Sequence, residues 1–262
     1  MEILRRAVLI LEQLAHSEAT ELGVDQLSRA TGLSPSTVHR FLSSLKELGF
    51  VQQNPDNSKY RLGYKVAELG VRFLERLDVR SLAVPLMVEL RNVSGETVGL
   101  SIKIDAVSRA YVHEVEGVHQ VRVRLPVAKP LPLYLGAPGR VLSAWLSPSE
   151  IEHIALAGAR AELPSGVSFD PGRFRAELAE VRARGYAVAN SEYMTGTSSV
   201  AVPVRDGRGN VVAALSISGP RVRFTEEAQE AVLPHLFRAA EELCAALGCV
   251  GLKSRSAGRE NA

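Results

Sequence analysis

The chain has 262 residues, of which 46% are hydrophobic and 23% charged, and its formal net charge is +2. These values are ordinary for a globular protein with a sizeable core, and the length suggests two domains. No apolar run approaches the ~18 residues that a membrane helix needs. Polar residues interrupt the first helical pattern, from Leu4 to Leu14, which argues against a signal peptide. We therefore expect a cytoplasmic protein that has no membrane partner.

Residues 23–63 predict two helices joined by a tight turn and followed by a short hairpin. Helices that cross closely need a small residue where they touch, and Ser28 supplies it. Four residues later the turn needs a residue that tolerates positive φ, and Gly32 supplies it. Ser34 is a good N-cap for the second helix, and Pro35 follows at the first helical position, where its missing N–H costs nothing. This spacing is typical of a helix-turn-helix.

The second of these helices separates apolar from polar residues. Leu33, Val38 and Phe41 are expected to bury its inner face. The outward side chains are short hydrogen-bonding groups and one guanidinium, which is the surface that a recognition helix lays into a major groove. An ordinary pair of core helices is the alternative, because a turn glycine and a Ser-Pro helix start occur in many proteins. The predicted DNA contacts from this helix are Pro35, Ser36, Thr37, His39, Arg40, Ser43 and Ser44.

The residues after the second helix predict a two-stranded wing. A turn cluster at 54–57 separates a strand that starts near Gly49 from a return strand at 58–62. Asn57, Lys59 and Arg61 lie near the tip of this hairpin, where they suit phosphate or minor-groove contact. We therefore predict a winged helix-turn-helix over residues 1–63, with double-stranded DNA as its partner.

The charge balance of this domain argues weakly against DNA binding. Residues 1–63 hold seven Lys or Arg and seven Asp or Glu, so their net charge is zero. However, 28–46 and 57–65 each carry three cations and no acid. We infer a basic face on a neutral domain, and adequate affinity would then require two or more copies acting together.

The remainder of the chain predicts a second domain of the α+β class, in which helices flank an antiparallel sheet. A connecting helix is expected over 64–77, the second domain over 78–250 and a flexible tail over 251–262. A helix over 79–93 contains Pro85, so it should kink or start there. Strand patterns cover 97–104, 109–115, 120–125, 186–189, 199–204 and 211–218, and helical patterns cover 139–146, 148–157, 171–184 and 224–247.

Two features of the second domain suggest a ligand pocket. Ser216 and Ser218 are two apart in a strand, so their hydroxyls face the same side. The loop 136–139 precedes a helix, and free N–H groups at a helix start bind anions, although Pro138 cannot donate. A carboxylate-bearing ligand between the loop and the serines would be consistent with both features. The alternatives are a solvated sheet face for the serines and a plain tight turn for the loop.

These motifs together resemble the IclR family of bacterial transcription regulators over nearly the whole chain. The resemblance implies a GAF-like effector-binding domain, a small organic acid as effector, a palindromic operator, and dimers that pair into tetramers, and it leaves both repression and activation open. It is carried by LSPSTVHR (33–40), GETV (95–98), LYLGAPGR (133–140), GYAV (185–188) with Glu192 and Gly196, AVPV (201–204) and AALSISGP (213–220). The residues assigned to the effector site are Tyr134, Gly136, Ala137, Asn190, Glu192, Met194, Ser199, Ser216 and Ser218.

Two positions depart from relatives that bind small keto acids. Ser199 stands where those members often have a cysteine, and Ala189, with Asn190 beside it, stands where they have an acid. A glyoxylate-like ligand is therefore not assigned to this chain from those relatives. Tyr134 and Met194 leave a larger or more aromatic ligand as an alternative.

An enzyme is the remote alternative. The histidines are scattered without metal-ligand spacing, and neither a Gly-x-Ser-x-Gly motif nor a Walker loop occurs. We therefore expect no catalysis, no cofactor and no metal. A further alternative keeps DNA binding but makes the second domain a pure oligomerisation module.

Overall fold

The computed structural model describes residues 2–75, 78–161 and 169–248. The chain folds into two compact units, Met1–Arg76 and Leu77–Ala262. The tail predicted at 251–262 and the domain ends predicted at 77 and 250 lie outside the described residues.

The first unit is a winged helix-turn-helix, as predicted. Helix α2 ends at Gly32, whose φ of 70° is the left-handed conformation that the turn requires. The Ser28 hydroxyl donates to the Leu33 carbonyl at 2.6 Å across this turn. The Ser34 hydroxyl accepts from Thr37 N–H at 3.3 Å and so caps the next helix. The elements are α1 (Glu2–His16), α2 (Val24–Thr31), α3 (Pro35–Glu47), β1 (Val51–Gln53), β2 (Tyr60–Leu62) and α4 (Tyr64–Glu75).

The core of the first unit fixes the orientation of α3. Val38, Leu42 and Leu45 are the buried residues of this helix. Leu33 and Phe41, which were predicted to bury the inner face, are only partly buried against the same cluster. The buried residues are these three because positions 38, 42 and 45 form a single stripe along the helix, at i, i+4 and i+7.

The second unit is α+β with one six-stranded antiparallel sheet, in the order β5-β4-β3-β8-β7-β6. Helix α5 runs through Pro85 without interruption, so the predicted start there is wrong. No helix of the described residues is both long and apolar enough to cross a membrane. The elements are α5 (Asp78–Ser94), β3 (Thr97–Lys103), β4 (Ser108–Val115), β5 (Leu131–Pro132), α6 (Gly136–Ser143), α7 (Pro148–Ala159), α8 (Pro171–Arg184), β6 (Ala187–Asn190), β7 (Thr197–Arg205), β8 (Val211–Pro220) and α9 (Glu226–Ala246).

Small side chains let α6 lie close to the sheet. Ala189, Ala201 and Ala214 share one buried cluster with Ala137 of this helix. A Cβ on Gly139 would come within 2.3 Å of the Leu133 carbonyl oxygen, so this position has no room for a side chain. Helices α5 and α9 pack against each other and against the sheet. Strand residues alternate between faces, so Val202, Leu215 and Ile217, which stand an odd number of residues from the alanine of their own strand, lie on the face of the sheet that points away from α6.

The strand predicted at 120–125 is wrong. The segment is irregular, and the backbone is bonded to side chains instead of to a neighbouring strand. Thr97 donates its hydroxyl to the Val123 carbonyl at 2.6 Å, and Leu125 N–H donates to the Glu114 carboxylate at 2.7 Å. The alternation arises because Val123 is buried while Arg122 and Arg124 pair with Glu116.

The packing of α3 yields a stability prediction. Leu42→Ala removes a fully buried side chain, so the free energy of unfolding should fall by about 2–5 kcal/mol. Leu48→Ala makes the same change at a residue that is 63% exposed and should alter stability by less than about 0.5 kcal/mol. Urea unfolding followed by circular dichroism measures both, and equal effects would contradict this account of the α3 packing.

Candidate functional site

The outer face of α3 presents mainly polar groups. Pro35, Ser36, His39, Arg40 and Ser44 are exposed, whereas Thr37 and Ser43 are half-buried. The Thr37 hydroxyl lies 2.8 Å from that of Ser34, and the Ser43 hydroxyl donates to the His39 carbonyl at 3.0 Å. These two hydroxyls are therefore engaged by their own helix. Ser36, His39, Arg40 and Ser44 are the exposed polar groups that this face offers to a DNA groove.

An acidic residue stands beside the wing. Asn57 donates its amide to Glu21 at 2.9 Å, and an Arg61 nitrogen lies 3.8 Å from the same carboxylate. Hydrogen bonds from Asn57 and Asn54 hold the pKa of Glu21 below its ordinary value. Asn57 and Arg61 thus share their charge or donors with a carboxylate of the same unit. Lys59 is an exposed cation of the wing whose side chain forms no ion pair within 4.0 Å among the described residues.

The second unit contains a partly open pocket, which we call the sheet cavity, with a volume of about 60 Å³. Its floor is the sheet, its wall is the start of α6, and the segments 123–126 and 191–194 close it. The lining residues are Arg109, Tyr111, Val123, Arg124, Leu125, Pro126, Leu131, Gly136, Pro138, Ala189, Ser191, Glu192, Tyr193, Met194, Thr197, Ser198, Ser199 and Ser218.

Five of the nine predicted effector residues line this cavity: Gly136, Glu192, Met194, Ser199 and Ser218. The other four, Tyr134, Ala137, Asn190 and Ser216, do not.

The other four residues have different surroundings. Tyr134 packs against Phe169 with ring centroids 5.1 Å apart, and burial raises the pKa of its hydroxyl. Ala137 is in the apolar cluster beneath α6. Asn190 follows the lining residue Ala189 on β6 and so points to the opposite face. Ser216 is fully buried and donates its hydroxyl to the Gly99 carbonyl at 3.2 Å.

The serine pair at the cavity is not the predicted one. Ser199 of β7 stands directly opposite Ser218 of β8, whereas Ser216 stands opposite Ala201 and Gly99. Side chains directly opposite in an antiparallel pair lie close together on one face. Two of the serines that line the sheet cavity, Ser199 and Ser218, therefore lie side by side on neighbouring strands.

The start of α6 already holds a carboxylate, that of Glu192. Its Oε2 accepts from Gly136 N–H and from Arg140, each at 3.0 Å. Arg140 Nη2 lies 2.6 Å from the other oxygen, and Arg140 Nε donates to Glu177 at 2.7 Å. Burial opposes the charge of Arg140, but the two carboxylates outweigh it and hold the pKa of Arg140 above its ordinary value. The anion site predicted at this helix start is filled by the protein itself.

Sequence reasoning missed the β4 side of the cavity. Arg109 and Tyr111 line it from β4, and the guanidinium carbon lies 4.9 Å from the Tyr111 ring centroid. The available signal was an arginine in a strand whose following residues are apolar and buried. That signal is weak because surface strands carry arginines equally often in alternation.

Comparison with known proteins identifies the family. The family model for the bacterial transcriptional regulator IclR C-terminal domain matches residues 71–245, and that for the IclR helix-turn-helix domain matches residues 3–55. The chain belongs to the IclR family. It is therefore a transcriptional regulator with a DNA-binding helix-turn-helix, and the expectation that it is not an enzyme is confirmed, because the relatives are named regulators.

Three relatives illustrate the similarity of this IclR-family protein. The transcriptional regulator KdgR of Escherichia coli is 35% identical over 243 residues, which cover 89% of each chain. The crystal structure of the Thermotoga maritima IclR is 31% identical with a TM-score of 0.76, covering 95% of this chain and 99% of that one. An IclR homologue of Microbacterium hydrocarbonoxydans, complexed with 4-hydroxybenzoate, is 26% identical with a TM-score of 0.80, covering 94% and 98%.

The exposed face of α3 yields a prediction about DNA affinity. Arg40→Ala should weaken binding to an operator duplex, selected with the wild-type protein, by about 1–3 kcal/mol, because a base-edge or phosphate contact is lost. Fluorescence anisotropy titration at fixed salt measures this affinity.

Arg238→Ala is the matched control for this experiment. It removes another exposed arginine, from α9 of the second unit, where Glu242 lies 3.6 Å away. Its operator affinity should equal that of the wild type. Unchanged affinity for Arg40→Ala would remove Arg40 from the interface.

Proposed function

We propose that this IclR-family protein is a metabolite-responsive regulator whose operator binding is modulated by a small organic acid bound in the sheet cavity. The observation that supports the proposal is a concave pocket whose floor carries the opposed residues Ser199 and Ser218. A binding site of this kind combines a concave apolar wall with a few convergent polar groups. The relative from Microbacterium hydrocarbonoxydans, complexed with 4-hydroxybenzoate, supports small-molecule binding in the family.

The DNA-reading surface of this proposal is the exposed face of α3 together with Lys59 of the wing. The zero net charge of residues 1–63 supports binding by pairs of heads, because one head would neutralise few phosphates. We propose dimers, paired into tetramers, on a palindromic operator. Effector binding would bias the relative placement of two DNA-binding domains. A second domain that only oligomerises would not need a concave pocket lined by serines.

The proposal predicts that an organic acid changes operator affinity. A coupling free energy between two sites is typically about 1–3 kcal/mol, which corresponds to roughly 5- to 150-fold in affinity. Operator titrations with and without each member of a panel of short-chain and aromatic organic acids measure it. If no member of the panel changed the affinity, the proposal would be contradicted.

Single serine substitutions test the location of the site. Ser218→Ala should reduce the response to an active acid while leaving operator affinity without the acid unchanged, because Ser218 lines the cavity. Ser216→Ala is the matched control, since it makes the same change in the same strand outside the cavity lining. The control should respond as the wild type does. The reverse pattern would place the effector elsewhere.

A further inference from the structure

The sheet cavity contains a buried cation without a counter-ion. Arg109 of β4 is only 3% exposed and lines the cavity. Its Nη1 donates to the Ser101 hydroxyl at 3.2 Å and its Nη2 to the Leu135 carbonyl at 3.4 Å, so both acceptors are neutral. Its Nε is fully buried and has no hydrogen-bond partner among the described residues. No carboxylate of the described residues forms an ion pair with it within 4.0 Å.

The contrast with Arg140 shows how unusual this is. Arg140 is 6% exposed, close to the value for Arg109, but it contacts the carboxylates of both Glu192 and Glu177. Burial of a charge is unfavourable unless an opposite charge and hydrogen bonds compensate for it. The Tyr111 ring beside Arg109 offers a cation–π contact, which replaces only part of the lost hydration.

The surroundings of Arg109 add positive potential instead of reducing it. Its guanidinium lies against the start of α6, where a Cβ on Gly136 or Gly139 would be 3.6 Å from Nη2 or 3.5 Å from Nε. The peptide dipoles of a helix are positive at this end. The carboxylate that compensates this helix start, Glu192, is bonded to Gly136 and Arg140. An anion in the cavity would therefore find its strongest free electrostatic partner at Arg109.

We propose that Arg109 binds the carboxylate of the effector and makes this site selective for organic acids over their neutral analogues. This inference rests on the proposed effector function of the sheet cavity. A guanidinium can bind a carboxylate through charge-assisted hydrogen bonds from its Nη groups. Ser199 and Ser218, on the floor of the same cavity, would receive a second polar group of the ligand.

The size of the cavity limits the acid. One water needs about 10–15 Å³ of such space, so the volume of about 60 Å³ accepts roughly five water-sized groups. Glycolate and lactate fit this limit, whereas an aromatic acid would require the exposed side chains of Tyr193 and Met194, which line the cavity, to move. Glycolate, lactate and 4-hydroxybenzoate are therefore the acidic probes, each compared with its amide.

Calorimetric titration of the full chain with each acid and its amide tests the inference. Wild-type protein should bind at least one acid roughly tenfold more tightly than the corresponding amide. Arg109→Met should weaken binding of that acid by roughly 10- to 100-fold and remove the preference over the amide, because a hydrogen bond to a charged group is lost. Arg109→Lys, which keeps the charge but not the planar fork, should retain part of the preference.

Arg124→Met is the matched control. Arg124 lines the same cavity, but its side chain is 68% exposed and lies 3.1 Å from Glu116. Its acid affinity should stay within about twofold of the wild type, since its charge is solvated and already paired. Thermal unfolding of each unliganded variant shows whether it is folded. Should Arg109→Met not fold, the acid-to-amide ratio of Arg109→Lys decides, and a ratio equal to that of the wild type overturns the inference.

The outcomes separate the two proposals. If acids bind Arg109→Met as tightly as the wild type, or if amides bind the wild type as tightly as acids, the role of Arg109 is wrong and the effector function stands. If no acid and no amide binds the wild type, both the effector function and the role of Arg109 are wrong. A loss of affinity in Arg124→Met that equals the loss in Arg109→Met would also overturn the assignment.

Discussion

The carboxylate of Glu192 ties one of the segments that close the sheet cavity to the start of α6, which forms the cavity wall. It accepts hydrogen bonds from Gly136 N–H and from Arg140, so the segment 191–194 is tied to the first turn of α6. Arg140 is also bound to Glu177 of α8, which connects the same charge network to the outer helix. Because removing one partner of a buried ion pair leaves an uncompensated charge, this network fixes the cavity shape more strictly than apolar packing alone would.

This arrangement explains why the two buried arginines of the region have different roles. Arg140 is paired with the carboxylates of Glu192 and Glu177, and it connects α6 to α8 and to the segment 191–194. Arg109 has neutral acceptors and an unpaired Nε, and it faces the space that remains. In the proposed site, Glu192 compensates the helix start while Arg109, beside it, has no carboxylate partner among the described residues, so an anionic ligand would have one defined place to bind. Such uncompensated buried groups are typical of binding sites and uncommon in structural cores.

In the first unit, the zero net charge of residues 1–63 limits DNA affinity more than any single contact does. The wing cation Arg61 and the amide of Asn57 are shared with Glu21, so the surface available for phosphate is smaller than the sequence count of cations suggests. A DNA-binding domain with few unpaired cations gains specificity from base contacts, and it gains affinity when two or more copies bind together. This is a physical reason for the proposed pairing of DNA-binding domains, and it depends on the first unit alone.

The helix-turn-helix could be predicted from the sequence because the residues that form it interact with near neighbours along the chain. Gly32 in the turn and Ser34 as N-cap have their predicted roles in the structure, and Ser28 donates a hydrogen bond across the same turn. The α+β class of the second unit was also readable, since strand and helix periods differ. The strand at 120–125 failed because side chains from distant residues, Thr97 and Glu114, satisfy its backbone.

The site itself was decided by tertiary structure. Strand register, and not spacing along the chain, placed Ser199 opposite Ser218 and removed Ser216 from the cavity. Long-range packing brought both Glu192 and Arg109 to the start of α6, although they are 56 and 27 residues from Gly136 in sequence. Local patterns show which residues can form a helix, strand or cap, but only the register of the sheet and the packing of α6 determine which polar groups converge.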